Sequence, residues 1–161
     1  MDDAPSGLVK VRFLLERDEG GWPPTESEGL WAVPLGGGAY RIDNTPWFAR
    51  NVASHDVFFA EPDADGCLWA GERLRWSGNC TIRVVPFRAG PLAGSQQAVL
   101  DLFVPMGVSG EGFGSQLNIV ALTVPPDADL AGIKRTLEQG EADGSWSYEE
   151  GCISSEWASA H

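Results

Sequence analysis

The sequence predicts an α+β protein: an N-terminal strand-rich small barrel or curled antiparallel sheet, then a strand-helix-strand-helix half of ferredoxin-like type. Three observations predict it. The first half alternates apolar and polar residues in short runs separated by Gly-, Pro- and Asp-rich turns, near Gly90 the apolar spacing lengthens to that of a helix, and an apolar strand separates two such helical stretches. A chain of 161 residues with 43% hydrophobic content and seven Trp can bury a substantial core. The expected organisation is a single compact domain over residues 8–161, with lobes at 8–89 and 90–152 and a flexible tail at 1–7.

Leu8 to Glu16 sets Val9, Val11, Phe13 and Leu15 on one face and Lys10, Arg12 and Glu16 on the other, the period-two pattern of a half-buried strand. Asp18 to Gly29 reads DEGGWPPTESEG, too rich in Gly, Pro and acid for a regular element, and is expected to be a long ordered loop. Leu30 to Leu35 and Ala39 to Asp43 flank Gly36-Gly37-Gly38, a hairpin turn because glycine takes positive φ without a Cβ clash. Val57 to Glu61 leads into the turn Pro62-Asp63-Ala64-Asp65-Gly66, and the chain returns along Cys67 to Trp76. Ser77-Gly78-Asn79 is then expected to send Cys80 to Phe87 back beside that strand. About six short strands so joined argue for a small barrel or strongly curled sheet.

Beyond Gly90, Val99, Leu102, Phe103 and Met106 recur at helical spacing behind Ser95 as N-cap, and Pro105 ends or kinks that helix. Gly107 to Gly114 reads as a connecting loop and Leu117 to Val124 as a strand. Pro125-Pro126 and Asp127 or Asp129 introduce a second helix, with Leu130, Ile133 and Leu137 as its apolar stripe and Gly140 as its C-terminal stop. Taken from Thr81, this order is half of a ferredoxin-like layer with its helices on one face.

Charge narrows the function classes. The chain carries 23 acids against 11 bases, a formal net charge of −12. Nucleic acid is not an expected partner, because phosphate backbones are bound largely by Lys and Arg and no basic stripe is visible. No stretch is apolar and long enough to span a membrane, and the acidic start MDDAPSG lacks the pattern of a signal peptide, so a cytoplasmic location is expected. The densest acidic run, Glu138, Glu141, Asp143, Glu149, Glu150 and Glu156, contains no Lys or Arg; it reads as a solvated face or as a docking surface for a basic partner. Cys67, Cys80 and Cys152 lack the paired spacing of a zinc site and are expected to be buried or idle thiols.

Chemistry-bearing motifs are sparse. Glu61-Pro62-Asp63-Ala64-Asp65-Gly66 with Glu72 spaces oxygen ligands almost as a calcium loop does, but Asp-Gly is itself a strong turn, the flanks read as strand, and the turn is the preferred reading, with no metal or cofactor expected. Gly110-Glu111-Gly112-Phe113-Gly114 follows a helix and precedes a strand, the reverse of a phosphate-binding loop. Catalytic candidates are Asp43, Asp56 and Glu72, carboxylates that could converge at one barrel end, and Cys80 as a nucleophile; Asp43 also suits a turn or cap role. Trp22, Trp47 and Phe48 lie in loops, where large rings serve either as lids on the core or as anchors for a partner. Trp31, Trp69 and Trp76 lie on strands, where core packing or cross-strand pairing is the ordinary role.

The runs WPPTESEGLWAVPL, YRIDNTPWFARNV, DVFFAEPDADGCLW and VPPDADLAGIKRTLEQGEADGSWSYEEGC, in that order, resemble the bacterial domain-of-unknown-function family 4265 from about Val9 to Cys152. The resemblance implies no mechanism, since that family has no established activity. Where the family pattern has Gly-Asp this chain has His55-Asp56, so the resemblance implies no family-wide role for His55. Two functions follow as expectations. One is a non-catalytic binding module of immunity or regulatory type, docking a basic protein through Trp22, Trp47, Phe48, Glu138, Glu141 and Asp143. The other is a small-molecule enzyme or ligand-binding protein with a pocket between the strand-rich half and the helical layer.

Overall fold

The computed structural model describes residues 7–114 and 117–161, so the first six residues of the expected tail lie outside it. The chain divides into two compact units between Ser77 and Gly78.

The first unit is a closed five-stranded barrel of β1 (Val9–Leu14), β2 (Ser27–Gly36), β3 (Ala39–Ile42), β4 (Val57–Pro62) and β5 (Leu68–Arg75). Consecutive strands are antiparallel, and an odd number of alternating strands must close in parallel. Accordingly β1 pairs parallel with β5, Val11 opposite Leu68 and Arg12 opposite Trp69. The period-two pattern sends Val11 and Phe13, Leu30 and Ala32, and Phe58 and Ala60 into one core with Ile42. Phe13 and Phe58 meet edge to face at 5.0 Å. The triple-glycine turn has φ of +94°, +66° and +84°, and a Cβ on Gly38 would lie 2.5 Å from the Phe59 ring.

Two expectations change here. Strand β2 starts at Ser27, inside the segment read as loop, because Glu28 turns inward opposite Phe13 and its buried carboxylate accepts from the amides of Trp47, Phe48 and Ala49 at 2.6, 3.0 and 2.8 Å. Such bonds let an acid occupy an inward strand position. In addition, the strand at Cys80 does not return beside β5. Asp56 captures both the amide and hydroxyl of Ser77 at 2.8 Å, β5 ends, and the chain passes into the other unit.

The second unit contains β6 (Cys80–Pro86), α1 (Gln96–Phe103), β7 (Ser109–Gly112), β8 (Val120–Val124), α2 (Leu130–Ala142), β9 (Trp146–Cys152) and α3 (Ser155–Ser159). The sheet order β7-β8-β6-β9, antiparallel throughout, completes the ferredoxin-like layer of which the sequence shows half. Cys80, Ile82, Val84, Val120, Leu122 and Val124 pack with Val99, Phe103, Ile133, Leu137, Trp146 and Trp157. Ser95 caps α1 by accepting from Ala98 N at 3.0 Å, Pro105 falls in a 3-10 turn (Val104–Met106), and Asp129 caps α2.

Strand β7 runs through the glycine segment read as a loop. Its ladder sets Gly110 opposite Leu122, and a Cβ on Gly110 would come within 2.7 Å of that leucine's Cδ2, so glycine here permits close strand packing. Gly140 does not stop α2, which runs to Ala142; the left-handed glycine after it is Gly144, at φ +82°. Gly140 instead makes room for Trp146, whose indole would lie 2.1 Å from an added Cβ and whose Nε1 donates to Leu137 O at 3.0 Å. Helix propensity alone favours Ala at this position by about 1 kcal/mol. Overpacking against a buried ring costs about 1–3 kcal/mol, so Gly140→Ala is expected to lower the denaturant midpoint. A raised midpoint would show that the Trp146 ring yields.

Candidate functional site

The candidate face is built by α2 and the edge strand β9. Along β9, residues 146, 148 and 150 share a side: Trp146 is buried, Tyr148 half-buried against the same core, and Glu150 exposed. Glu138 and Glu141, three residues apart on α2, are both exposed and share a helix face. Burial first, then the negative charges of Glu138, Glu150 and Glu141, raise the Tyr148 hydroxyl above its ordinary value. The indole N–H of Trp157 donates to Glu150. Lys134 Nζ donates to the carbonyls of Trp157 and Ala160 at 3.1 and 3.3 Å, tying α2 to the helix α3.

Asp143 belongs to the connection rather than to this cluster, for its Oδ1 accepts from the amide and hydroxyl of Ser145 at 3.0 and 2.5 Å. Glu149 faces away from Tyr148 and pairs with buried Arg83 at 2.5 Å. The acidic run thus separates into Glu138, Glu141 and Glu150 on the face, Asp143 and Glu149 in local structure, and Glu156 on α3, where it accepts from Ser155 Oγ at 3.3 Å. Tyr148 escapes a reading by charge, although the alternation Trp146-x-Tyr148 is a strand signal.

The loop aromatics partly converge. Trp22, 38% exposed, meets half-buried Phe48 edge to face at 5.7 Å, and the Glu28 carboxylate holds the backbone of Trp47 and Phe48. Of the tryptophans expected on strands, Trp31 lies opposite Lys10 with the ammonium 4.8 Å from its ring, Trp69 donates to Asp63, and Trp76 falls just beyond the end of β5, exposed beneath Arg73.

The catalytic candidates occupy different settings. Asp56 is fully buried: Oδ2 accepts from Ala53 N at 3.0 Å and lies 3.3 Å from Arg73 Nε, an ion pair without hydrogen-bond alignment, while Oδ1 takes the two Ser77 donors. Asp43 and Glu72 are exposed, and the side-chain bond expected of Asp43 is made by Asn44, whose Oδ1 accepts from Trp31 N at 2.6 Å. Cys80 is buried in the second unit, 3.6 Å from Ser154 Oγ. Among the described residues the three cysteines remain thiols; Cys80 and Cys152 are buried, whereas Cys67 is exposed.

The calcium-like segment is a strand-to-strand turn, with Glu61 on β4 and Glu72 on β5. Asp63 accepts from Trp69 Nε1 at 2.9 Å and from the amides of Cys67 and Asp65 at 3.0 and 2.9 Å. The indole bond, then the Cys67 amide, hold its carboxyl below the ordinary value. Among the described residues, no three His, Cys, Asp or Glu side chains gather as a metal site, so Glu61, Asp63, Asp65 and Glu72 do not form one. No helix among them is long and apolar enough to cross a membrane.

Residues 28–148 match the family described as a domain of unknown function, DUF4265. The chain belongs to that family. The span of this DUF4265 protein that matches opens in β2 and closes in β9, taking in Glu28 and Tyr148 at its ends. A hypothetical protein from Neisseria gonorrhoeae is similar in structure, with a TM-score of 0.72 and 22% identity over 90% of this chain and 96% of its own. Likeness at that identity carries the fold alone. None of the curated proteins matches this DUF4265 chain.

Proposed function

We propose that this protein is a non-catalytic binding module of immunity or regulatory type, acting in the bacterial cytoplasm and docking a basic protein on the face around Tyr148. The observation that supports it is half-buried Tyr148 with exposed Glu150 on the same side of β9 and exposed Glu138 and Glu141 on one face of α2, acids whose charge, after burial, raises the Tyr148 hydroxyl above its ordinary value. A tyrosine with an apolar body and a polar rim of one sign is a suitable anchor, and like charges gathered around it steer a partner of opposite sign. The occupied oxygens of Asp56 add support, since a carboxylate saturated by internal donors is poorly placed to exchange protons with a substrate.

The test is the double reversal Glu138→Arg with Glu141→Arg, which leaves Asp143 and Glu150 with their internal partners. Against a basic protein co-purified stoichiometrically from the native host and identified by native mass spectrometry, affinity at low salt is expected to fall by about tenfold or more. The gap should narrow at high salt as screening grows. Unchanged affinity at low salt would defeat the reading.

A further inference from the structure

We propose that the outer face of β1 and β2 carries a second site, for a small organic anion with a flat aromatic part, held by Lys10 and Arg12 beside Trp31 with the Cys67 thiol at its rim. A groove of about 450 Å³ lies there, lined by Lys10, Arg12, Trp31, Gly66, Cys67 and Leu68 among others, and the ionisable groups of its lining are two cations and a thiol. This gathers two of the 11 bases of a chain with net charge −12 into one depression.

Register explains the gathering. With Val11 and Phe13 turned into the barrel, Lys10 and Arg12 must point outward, and the antiparallel pairing sets them opposite Trp31 and Gly29. Gly29 has no side chain, and the Lys10 stem lies across it: an added Cβ would stand 2.7 Å from Lys10 Cδ. The ammonium reaches to 4.8 Å from the centre of the Trp31 ring. The parallel closure brings the start of β5 against Arg12, and so delivers Gly66 and Cys67 to the groove. Asp63 fixes that turn by accepting from the Cys67 amide at 3.0 Å, which holds the exposed thiol at the rim.

The chemistry selects the ligand class. A guanidinium matches the paired oxygens of a carboxylate or phosphate, an ammonium adds a point charge, and an indole offers a flat apolar surface. A groove of this size suits one ring with one acidic group rather than a polymer.

Cys67 supplies the test. In the full chain, iodoacetamide, an uncharged reagent, is expected to alkylate Cys67 alone, with buried Cys80 and Cys152 as internal controls, read by peptide mass. Phenyl phosphate at about ten times its dissociation constant should slow that alkylation about tenfold. It should also shift the Trp31 indole resonance, assigned through Trp31→Phe. Benzyl alcohol, neutral and of similar shape, should do neither. In the outward-facing double variant K10Q/R12Q, with its fold checked by thermal denaturation, protection at the same phenyl phosphate concentration should be lost. Absence of protection by phenyl phosphate in the unaltered chain, equal protection by benzyl alcohol, or protection that persists in K10Q/R12Q would each overturn the proposal.

Discussion

Asp56→Ala is expected to destabilise the protein by about 3–5 kcal/mol, because three donors lose the carboxylate that accepts from them, at about 1–3 kcal/mol for each one stranded away from water, while Arg73, partly exposed, is left to solvent. The carboxylate is fully buried and gathers Ala53 N, Ser77 N, Ser77 Oγ and the Arg73 guanidinium. These groups come from the loop before β4, from β5 and from the residue that leaves the barrel, so one side chain ties together the open end of the β4–β5 hairpin. Asp56→Asn keeps one acceptor oxygen and the shape but loses the charge, and about half that loss is expected. Asp43→Ala and Glu72→Ala, at exposed positions, should change stability by no more than about 0.5 kcal/mol. Denaturant unfolding of the four variants checks the ranking. An Asp56→Ala midpoint equal to the unaltered protein's would mean that the donors find other acceptors, and the structural role assigned to Asp56 would fall. Against a typical total of about 5–15 kcal/mol, the expected loss leaves the barrel close to unfolding.

The sequence made the barrel strands legible because alternation and turn chemistry agree there: Val11 and Phe13 face in, Lys10 and Arg12 face out, and the triple glycine supplies the positive φ of the hairpin. It hid the division between the units. Ser77-Gly78-Asn79 looks like any hairpin turn, and the fact that Asp56, 21 residues earlier, binds Ser77 and ends the strand is a tertiary contact without local trace. Strand β7 was invisible for a different reason: Ser109-Gly110-Glu111-Gly112 has no apolar alternation, and the ladder to β8 together with close packing makes it a strand. Gly140 shows the same ambiguity, a helix stop by residue type and a seat for Trp146 by contact. On the candidate face, acid count found Glu138 and Glu141, but only the register of β9 separates Glu150, which shares the side of Tyr148, from Glu149, which turns to Arg83. The groove was half legible, since Lys10 and Arg12 read as one face of a strand; its other wall depends on the parallel closure with β5.

Glu28→Ala should cost about 3 kcal/mol, because three successive backbone amides lose the acceptor that holds them and each buried donor so stranded costs about 1–3 kcal/mol. The estimate stays near the low end of that sum because Trp47 and Phe48 are only half-buried and water can reach their amides, whereas Ala49 is buried. Glu28→Gln separates charge from geometry. Oε2 serves Trp47, and Oε1 serves Phe48 and Ala49; an amide retains only one oxygen, so Gln keeps either one bond or two. A loss of about 1 kcal/mol is expected for it. The loop has a second tether in the Trp22–Phe48 ring contact, and the two can be told apart by hydrogen exchange at residues 47–49. If the carboxylate is the main tether, exchange at those amides accelerates strongly in Glu28→Ala and little in Phe48→Ala; the opposite order would assign the loop to aromatic packing. The distinction bears on binding as well. A loop held through its backbone can present Trp22 and Phe48 in one fixed geometry whatever their rings touch, whereas a loop held by its rings would lose that hold when a partner engages them.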